Sequence, residues 1–499
     1  MVHPSLLMKT SESADRTWVL AMLAGWTLLR LVWINLFELS GDEAYYWLWS
    51  NHLDWNYFSK GPGIAWTMAL STGLFGDTAF AIRLPTVFLA AGTGWGLFCL
   101  GRDLFSSRVG LWTVIVASLI PLFALGGLLM TIDPLSVFFW VWTLWAAWRL
   151  RDSSRPILWL GPGLLIGIGA LCKYTNVALI PSLGLFLLMN RTVSPGKRAA
   201  AFAMLTVSAL LMLVPSVVWM AHHDWITLHH LQARGSLNEP FQIQPGQWLE
   251  FIGTQSIIVF PVFFIAFWFV LAQSRKLIEV RARHFLLCAF VPLFGFYSIL
   301  ALNDAGQPNW TAPAWVAGVL LLTAGWLTLR ERKPKVRVWE KPSMIAAGLV
   351  VVLLHVVIFL PLPREGKPDG LHRVRGSRAL AEAVVAYART NDTSYIIGDH
   401  YQTSAQICFY GEGHPTAYTV DDGRVNDQFD LWPSYLDQPV GSSGLFVSRN
   451  GRIPQVLEDQ FEEISLIGEV APYFGSSLIY RHFVFLCRGL KASVAGRVE

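Results

Sequence analysis

Long runs of apolar residues dominate the chain and alternate with short polar stretches. Each run has about 20 residues, the length of helix that crosses ~30 Å of hydrocarbon. The first run also lacks a small-x-small cleavage site and is too long for a signal-peptide core. The pattern predicts a polytopic α-helical membrane protein with eleven spans, at 17–37, 80–100, 109–129, 133–149, 156–172, 174–190, 199–220, 251–272, 285–302, 312–329 and 343–361.

The pattern changes after residue 361, where Pro361, Pro363 and Pro368 form a proline-rich link. Apolar residues then recur at helical spacing over 377–390 and at shorter, strand-like spacing in three later stretches. The sequence therefore predicts two domains, a membrane body at 1–361 and a small α/β domain at 362–499, with strands at 394–398, 444–447 and 477–486.

Composition supports membrane insertion and excludes one class of function. The chain is 54% hydrophobic and 14% charged, whereas soluble domains are about 25% charged. No basic domain or recognition motif supports nucleic-acid binding. Cys408 and Cys487 are the two cysteines of the predicted C-terminal domain, and the sequence leaves open whether they form a disulfide or are two buried thiols.

Lysine and arginine are distributed unequally between alternate loops. Twenty fall in the set that includes the N-terminus, against four in the opposite set, namely Lys60, Arg83, Lys173 and Arg234. Loops rich in these residues stay in the cytoplasm. The N-terminus is therefore predicted to be cytoplasmic, and the loop at 38–79 and the C-terminal domain extracytoplasmic.

Asp42 and Glu43 follow the first apolar run and begin the long outer loop 38–79. An acidic pair next to hydrocarbon is costly and needs a reason. One interpretation is a helix start in which Asp42 accepts hydrogen bonds from free backbone N–H groups. The other is a general base at the membrane surface that deprotonates an attacking hydroxyl or amine.

Three cations and a further carboxylate lie near the predicted outer ends of spans. Lys60, Arg83 and Lys173 could extend to lipid headgroups or bind a lipid-linked phosphate as it leaves. Asp133 precedes Pro134, which is also a common way to begin a helix. Together these residues suit an enzyme that acts at the outer leaflet on a phosphate-bearing lipid.

The outer segment 221–250 carries four histidines. They lack a compact ligand pattern such as His-Glu-x-x-His, so a divalent metal is not supported and no cofactor is predicted. A second short outer loop, at 307–313, is rich in proline and carries Asn309 and Trp310. The histidines are His222, His223, His229 and His230.

An ordered set of motifs resembles the multi-spanning glycosyltransferases that use polyprenyl-phosphate sugars, the group of protein O-mannosyltransferases and bacterial aminoarabinose transferases. The resemblance covers roughly residues 15–330. Its motifs are Asp-Glu-Ala-Tyr-Tyr at 42–46, Tyr-Phe-Ser-Lys-Gly-Pro at 57–62, Ala-Ile-Arg-Leu-Pro at 81–85, Thr-Ile-Asp-Pro-Leu at 131–135, Leu-Cys-Lys-Tyr at 171–174, His-Asp-Trp-Ile-Thr at 223–227 and Pro-Asn-Trp-Thr-Ala-Pro at 308–313.

The resemblance implies a GT-C-like fold of the glycosyltransferase family 39 type and inverting transfer of a sugar from a polyprenyl-phosphate carrier. The acceptor would be extracytoplasmic: a glycolipid such as lipid A, a polysaccharide or a protein. Localisation would be the bacterial inner membrane. The implied site residues are the catalytic Asp42, Glu43 and Asp133, the phosphate-binding Lys60, Arg83 and Lys173, and Tyr45, Tyr46, His223, Asn309 and Trp310 toward acceptor or cavity.

The chain departs from its relatives at two positions next to Lys60. Many relatives have two prolines after this lysine, whereas Gly61 comes first here, and some have an acidic residue in place of Ser59. The alternative function is a lipid-linked-sugar transporter or flippase, and a non-catalytic scaffold is a third. Internal repeats and spans broken near mid-bilayer are typical of transporters, and no repeat is evident in this sequence.

Overall fold

The computed structural model describes residues 4–238, 240–363 and 368–492. It is mainly helical, as predicted. The α-helices of these residues are α1 Pro4–Trp33, α2 Gly41–Asn51, α3 Gly63–Phe75, α4 Ala79–Leu104, α5 Ser107–Ser118, α6 Pro121–Gly126, α7 Ile132–Leu150, α8 Leu160–Cys172, α9 Leu179–Met189, α10 Pro195–His222, α11 Ile226–Arg234, α12 Pro245–Val259, α13 Pro261–Leu277, α14 Val280–Leu300, α15 Ala312–Arg332, α16 Glu340–Val356, α17 Ser377–Thr390, α18 Tyr401–Tyr410 and α19 Gln455–Gln460.

Within the described residues, five helical segments are long and apolar enough to cross a membrane by themselves. They are Ala79–Leu104, Pro195–His222, Val280–Leu300, Pro308–Arg332 and Pro334–Phe359. A bent pair, α12 and α13, makes six when it is taken as one span. The predicted count of eleven spans is therefore not confirmed.

Broken helices account for part of this difference. The predicted single span at 251–272 is two helices that meet at an angle of 106°. Phe260 stands between them with a φ of 77°, and Pro261 begins α13. Similarly, the predicted span at 109–129 is divided at Pro121, which begins α6. Proline lacks the N–H that would continue a helix, and hydropathy alone does not reveal such breaks.

The chain divides into two compact units. The first comprises residues up to Trp33, Lys60–Ile64 and Arg83–His355, and the second comprises Ile34–Ser59, Ala65–Ile82 and the chain from Val356 onward. The second unit thus resumes near the predicted domain boundary at 361. It also contains most of segment 38–79, which the sequence predicts to be an outer loop, and this segment includes α2.

Helix α15 forms the centre of the first unit. Sixteen of its 21 residues are buried. Trp315 of this helix makes edge-on contacts with Phe267 of α13 and Phe290 of α14, with ring centroids 5.0 and 5.4 Å apart. Aromatic pairs at these distances add stabilisation beyond the area they bury. Since a helix surrounded on all sides buries every face, its sequence is apolar all round.

A five-stranded sheet is the core of the second unit, as predicted for a small α/β domain. Its order is β2-β1-β3-β7-β4. Strand β1 pairs in parallel with β2 and β3, while β7 pairs antiparallel with β3 and β4. The strands are β1 Tyr395–Gly398, β2 Ala417–Thr419, β3 Gly444–Ser448, β4 Phe461–Val470, β5 Tyr473–Phe474, β6 Ser477–Leu478 and β7 His482–Leu490.

Helix α17 has the predicted bounds, and β1 and β3 lie where strands were expected. The predicted strand at 477–486 is instead β6 and the first part of β7, and β2 and β4 were not anticipated. Cys408 and Cys487 are two buried free thiols. The disulfide alternative is therefore not realised.

Candidate functional site

The acidic pair begins helix α2 in the second unit, but the residue that caps this helix is Ser40. The Ser40 hydroxyl accepts from the backbone N–H of Glu43, and the Glu43 carboxylate accepts from the Ser40 backbone N–H at 3.0 Å. This reciprocal arrangement is a capping box. The interpretation of Asp42 as the cap is therefore wrong, and the buried Glu43 stabilises the helix start.

The Asp42 carboxylate is held instead by α18 of the same unit. Its Oδ1 accepts from the Gln402 side-chain amide at 2.9 Å and from the Tyr401 hydroxyl at 3.2 Å. Helix α18 lies close to α2 because Gly41 has no side chain; a Cβ there would be 2.5 Å from the Gln402 Cβ.

The second oxygen of the Asp42 carboxylate, Oδ2, is the atom that could accept a proton. Among the described residues, none donates a hydrogen bond to Asp42 Oδ2, and no lysine or arginine forms a salt bridge with it. Both of its partners are neutral donors. One oxygen is therefore fixed and the other is open to a proton donor such as an acceptor hydroxyl.

Tyr45 and Tyr46 are buried among aromatic rings. The backbone N–H of Gln428 donates to the Tyr45 hydroxyl at 2.6 Å, and the Gln428 side chain accepts from the Phe58 backbone N–H at 2.7 Å. Tyr46 packs edge-on against Trp49, with ring centroids 5.0 Å apart. The Tyr45 contact attaches α2 to the segment around Gln428, whereas the contact between Tyr46 and Trp49 lies within α2.

Two titratable groups near this segment have shifted pKa values. Burial, assisted by the nearby Asp430, raises the pKa of Asp427 to about 7. Burial and the Arg449 charge lower the pKa of His400, whose Nδ1 accepts from the Gln402 backbone N–H at 3.3 Å. The His400 ring is therefore neutral at pH 7 and orients the residue that contacts Asp42.

The first unit brings together three of the predicted site residues. Lys173 Nζ lies 2.6 Å from Asp133 Oδ1, and the Asn309 amide donates to Asp133 Oδ2 at 2.6 Å. The side chains of Lys173 and Asp133 are 9% and 18% exposed. Asp133 does not cap α7, because Thr131 is the N-cap and accepts from the Asp133 backbone N–H. Its carboxylate is instead committed to Lys173 and Asn309.

Polar residues inside apolar helices hold this cluster in place. The buried Gln255 of α12 donates to the Pro308 carbonyl at 2.9 Å and accepts from Thr311 at 2.6 Å, which fixes the turn that carries Asn309. Asn176, three residues after Lys173, donates to the Ser136 carbonyl at 3.1 Å. Neither Gln255 nor Asn176 was identified from sequence, although each is an amide in an otherwise apolar run.

Gly61 explains how the loop of Lys60 approaches the segment before Lys173. A Cβ at Gly61 would overlap the carbonyl oxygen of Leu171, and a Cβ at Gly63 would overlap the Cys172 sulfur. Two glycines therefore permit backbone-to-backbone contact at this point. The departure from the two prolines of many relatives has a packing reason in this chain.

The other predicted cations differ in exposure. Lys60 is partly buried, and Arg83 of α4 is completely buried. Burial and the positive charges of Lys60 and Arg234 lower the pKa of His230 to about 4. His230 is therefore neutral at pH 7.

The remaining predicted residues have local structural contacts. The His223 ring stacks on Trp219 with centroids 3.7 Å apart, and its Nδ1 is 2.8 Å from the Trp219 carbonyl oxygen. Trp310 contacts Tyr297 with ring centroids 5.5 Å apart. Within residues 4–238, 240–363 and 368–492, no three His, Cys, Asp or Glu side chains come together as metal ligands.

Comparisons with known proteins agree with the predicted resemblance. A family model described as dolichyl-phosphate-mannose-protein mannosyltransferase matches residues 59–219. Over 400 residues the chain is 28% identical to the lipid A galacturonosyltransferase RgtD of Rhizobium johnstonii, and the match covers 78% of this chain and 82% of that protein.

Solved structures share the fold. ArnT from Cupriavidus metallidurans in the apo state superposes with a TM-score of 0.62 at 16% identity, covering 97% of this chain and 99% of that one. The same protein bound to undecaprenyl phosphate gives 0.59 at 15% identity, with 96% and 99% covered. The predicted GT-C-like helical fold with a small C-terminal α/β domain is confirmed.

These similarities also confirm the predicted type of protein. The resemblance to polyprenyl-phosphate-sugar-dependent membrane glycosyltransferases is supported by a family model and by a curated relative along most of the chain. The chain is therefore similar to membrane glycosyltransferases, and the matching family model describes enzymes that use a lipid-linked sugar. The transporter alternative is not favoured.

Proposed function

We propose that this glycosyltransferase moves a sugar, with inversion, from a polyprenyl-phosphate carrier to a glycolipid of the lipid A type. The acceptor follows the relative RgtD, named as a lipid A galacturonosyltransferase, and galacturonic acid is the first sugar to test. A polysaccharide or a protein is the alternative acceptor. The observation that carries the catalytic part is the Asp42 carboxylate, fixed at one oxygen and open at the other.

In this mechanism Asp42 is the general base. It takes the proton of the acceptor hydroxyl as that oxygen attacks the anomeric carbon, and the bond from this carbon to the carrier phosphate breaks. The electron pair stays on the phosphate, whose negative charge increases by one. A phosphate is a good leaving group, so nearby cations suffice to stabilise it.

The cations of the first unit are assigned to the carrier phosphate. Lys60 and Lys173 are candidates for direct contact, and the buried Arg83 supports the positive charge of this region. Asp133 orients Lys173. The lysine side chain is flexible, and without this ion pair a rotation about one bond would move its ammonium group. Glu43 acts through the helix start and positions Asp42.

We further propose that the N-terminus is cytoplasmic and that the second unit lies outside the cytoplasm, in the bacterial inner membrane. The excess of lysine and arginine in one set of loops supports this orientation. A sugar on that side arrives on a lipid carrier, which agrees with the proposed donor.

The test uses the purified full-length protein with a polyprenyl-phosphate galacturonosyl donor and lipid A. Asp42→Asn should reduce transfer by roughly 10²- to 10⁴-fold, the contribution of a positioned general base. Asp54→Asn removes a carboxylate from the same loop and should leave transfer unchanged. Normal turnover by folded Asp42→Asn would exclude Asp42 as the base.

A further inference from the structure

A buried arginine in the first unit lies outside the predicted cation set. Arg30 is near the end of α1, within the first apolar run, and is 7% exposed. Its guanidinium lies 5.5 Å from the centroid of Trp26. Its Nε is buried without a hydrogen-bond partner among the described residues. Burying a charge is costly, so a buried ionisable side chain without a charged partner indicates a functional site.

The surrounding backbone leaves room for this side chain. At Gly127, a Cβ would be 2.6 Å from Arg30 Nε and 2.7 Å from its Cζ. Any other residue at 127 would displace the guanidinium. The local structure therefore accommodates a charged group, although an apolar side chain in this position would avoid the cost of burying a charge.

Arg30 also lines a cavity that is partly open to solvent. Most of the wall is apolar, with Leu23, Leu97 and Phe123 among its residues. Asp133 lies on the same cavity, but its carboxylate is already paired with Lys173.

This pairing distinguishes the two cations. The charge of Lys173 is balanced by Asp133 at 2.6 Å, whereas within the described part of the chain no carboxylate forms a salt bridge with Arg30. An anion that enters the cavity would meet a planar guanidinium with donors free to form paired hydrogen bonds, the geometry that suits phosphate. The apolar walls would at the same time accept hydrocarbon.

We propose that Arg30 binds the phosphate of the polyprenyl carrier, with the first isoprene units against the apolar wall of this cavity. The inference rests on the proposed function and adds a residue to its donor site. As the bond to the sugar breaks, the carrier phosphate gains one negative charge, so the contact with Arg30 strengthens during the reaction.

The test measures binding of undecaprenyl phosphate itself, without a sugar, to the full-length protein. Removal of a hydrogen-bonding charge should weaken this binding by roughly 10- to 100-fold in Arg30→Gln. Arg30→Lys should be intermediate, and Gly127→Ala should also bind more weakly. Arg16→Gln is the matched control, because Arg16 is an exposed residue of the same helix that also lies over a tryptophan, Trp95, at 5.9 Å.

Folding is checked by thermal unfolding in detergent, with Arg30→Met as a second variant whose unbranched apolar side chain suits a buried position. Carrier binding equal to wild type in either folded variant would overturn the proposal. Unchanged carrier binding with lost preference for uronyl over neutral sugar donors would also overturn it, and would assign Arg30 to the sugar carboxylate.

The two proposals fail separately. If the wild-type protein transfers sugar while Arg30→Gln binds the carrier normally, this inference alone is wrong. If the wild-type protein transfers no lipid-linked sugar but carrier binding still depends on Arg30, the proposed function is wrong and the phosphate site stands.

Discussion

The ion pair between Lys173 and Asp133 makes a quantitative prediction about stability. Asp133→Asn removes one charge and leaves Lys173 buried without its counter-ion. Breaking a buried pair in this way costs about 3–5 kcal/mol. We expect a loss near 3 kcal/mol, the low end of this range, because the Asp133 side chain keeps 18% of its surface exposed.

Lys173→Met should be comparably destabilising, because the Asp133 carboxylate loses its counter-ion and keeps the hydrogen bond from Asn309. The double variant Asp133→Asn with Lys173→Met removes both charges, so its loss should be smaller than the sum of the two single losses by about 0.5–3 kcal/mol. It should still be inactive in sugar transfer, because the cation near the carrier is absent.

The measurement is thermal unfolding in detergent for wild type, both single variants and the double variant. At about 2–4 °C per kcal/mol, each single variant should lose roughly 6–12 °C. Glu412→Gln is the control, because its pair with Arg389 is 75% and 64% exposed and such pairs contribute little. Additive losses in the double variant would refute the reasoning, since they would mean that the two charges do not interact.

Two further predictions concern the second unit. The raised pKa of Asp427 means that folding favours the protonated carboxyl. The free energy of unfolding should therefore fall as pH rises from about 4 to about 7. The Asp427→Asn variant should lack this pH dependence and be more stable than wild type at pH 8 by at most about 4 kcal/mol. Asp422→Asn, on the exposed part of the same loop, is the control. If the difference in stability between Asp427→Asn and wild type does not vary with pH, Asp427 is not the source of the pH dependence. Alkaline phosphatase is active only when it folds outside the cytoplasm, so the enzyme fused after the last residue should be active in living bacteria. A fusion protein that is intact but inactive would reverse the proposed orientation.

Sequence reasoning predicted features that depend on local pattern. The bounds of α17 follow from an apolar stripe at helical spacing, which is contained within 14 residues. The capping box at Ser40 and Glu43 was not predicted, although a serine followed three residues later by glutamate is its signature. The carboxylate at 42 was instead taken as a possible cap, since an aspartate near a helix start satisfies the same preference.

Long-range contacts had no comparable signal. The sequence proposed Asp133, Lys173 and Asn309 one by one, and their convergence at 2.6 Å depends on how three separate helical segments pack. Gln402 and Tyr401 could not be linked to Asp42 by spacing, because about 360 residues intervene. Arg30 was not identified from sequence, because it lies in an apolar run whose mean hydropathy stays high despite one charged residue.

The attachment of α2 to α18 has a consequence for biosynthesis. Asp42 and Gln402 are 360 residues apart, and ribosomes add about 5–20 residues per second. Roughly 20–70 s therefore pass between the synthesis of the general base proposed here and the synthesis of the amide that fixes it. A nascent or truncated chain can insert its apolar helices long before this carboxylate is oriented, so activity on the lipid carrier is expected only from finished molecules.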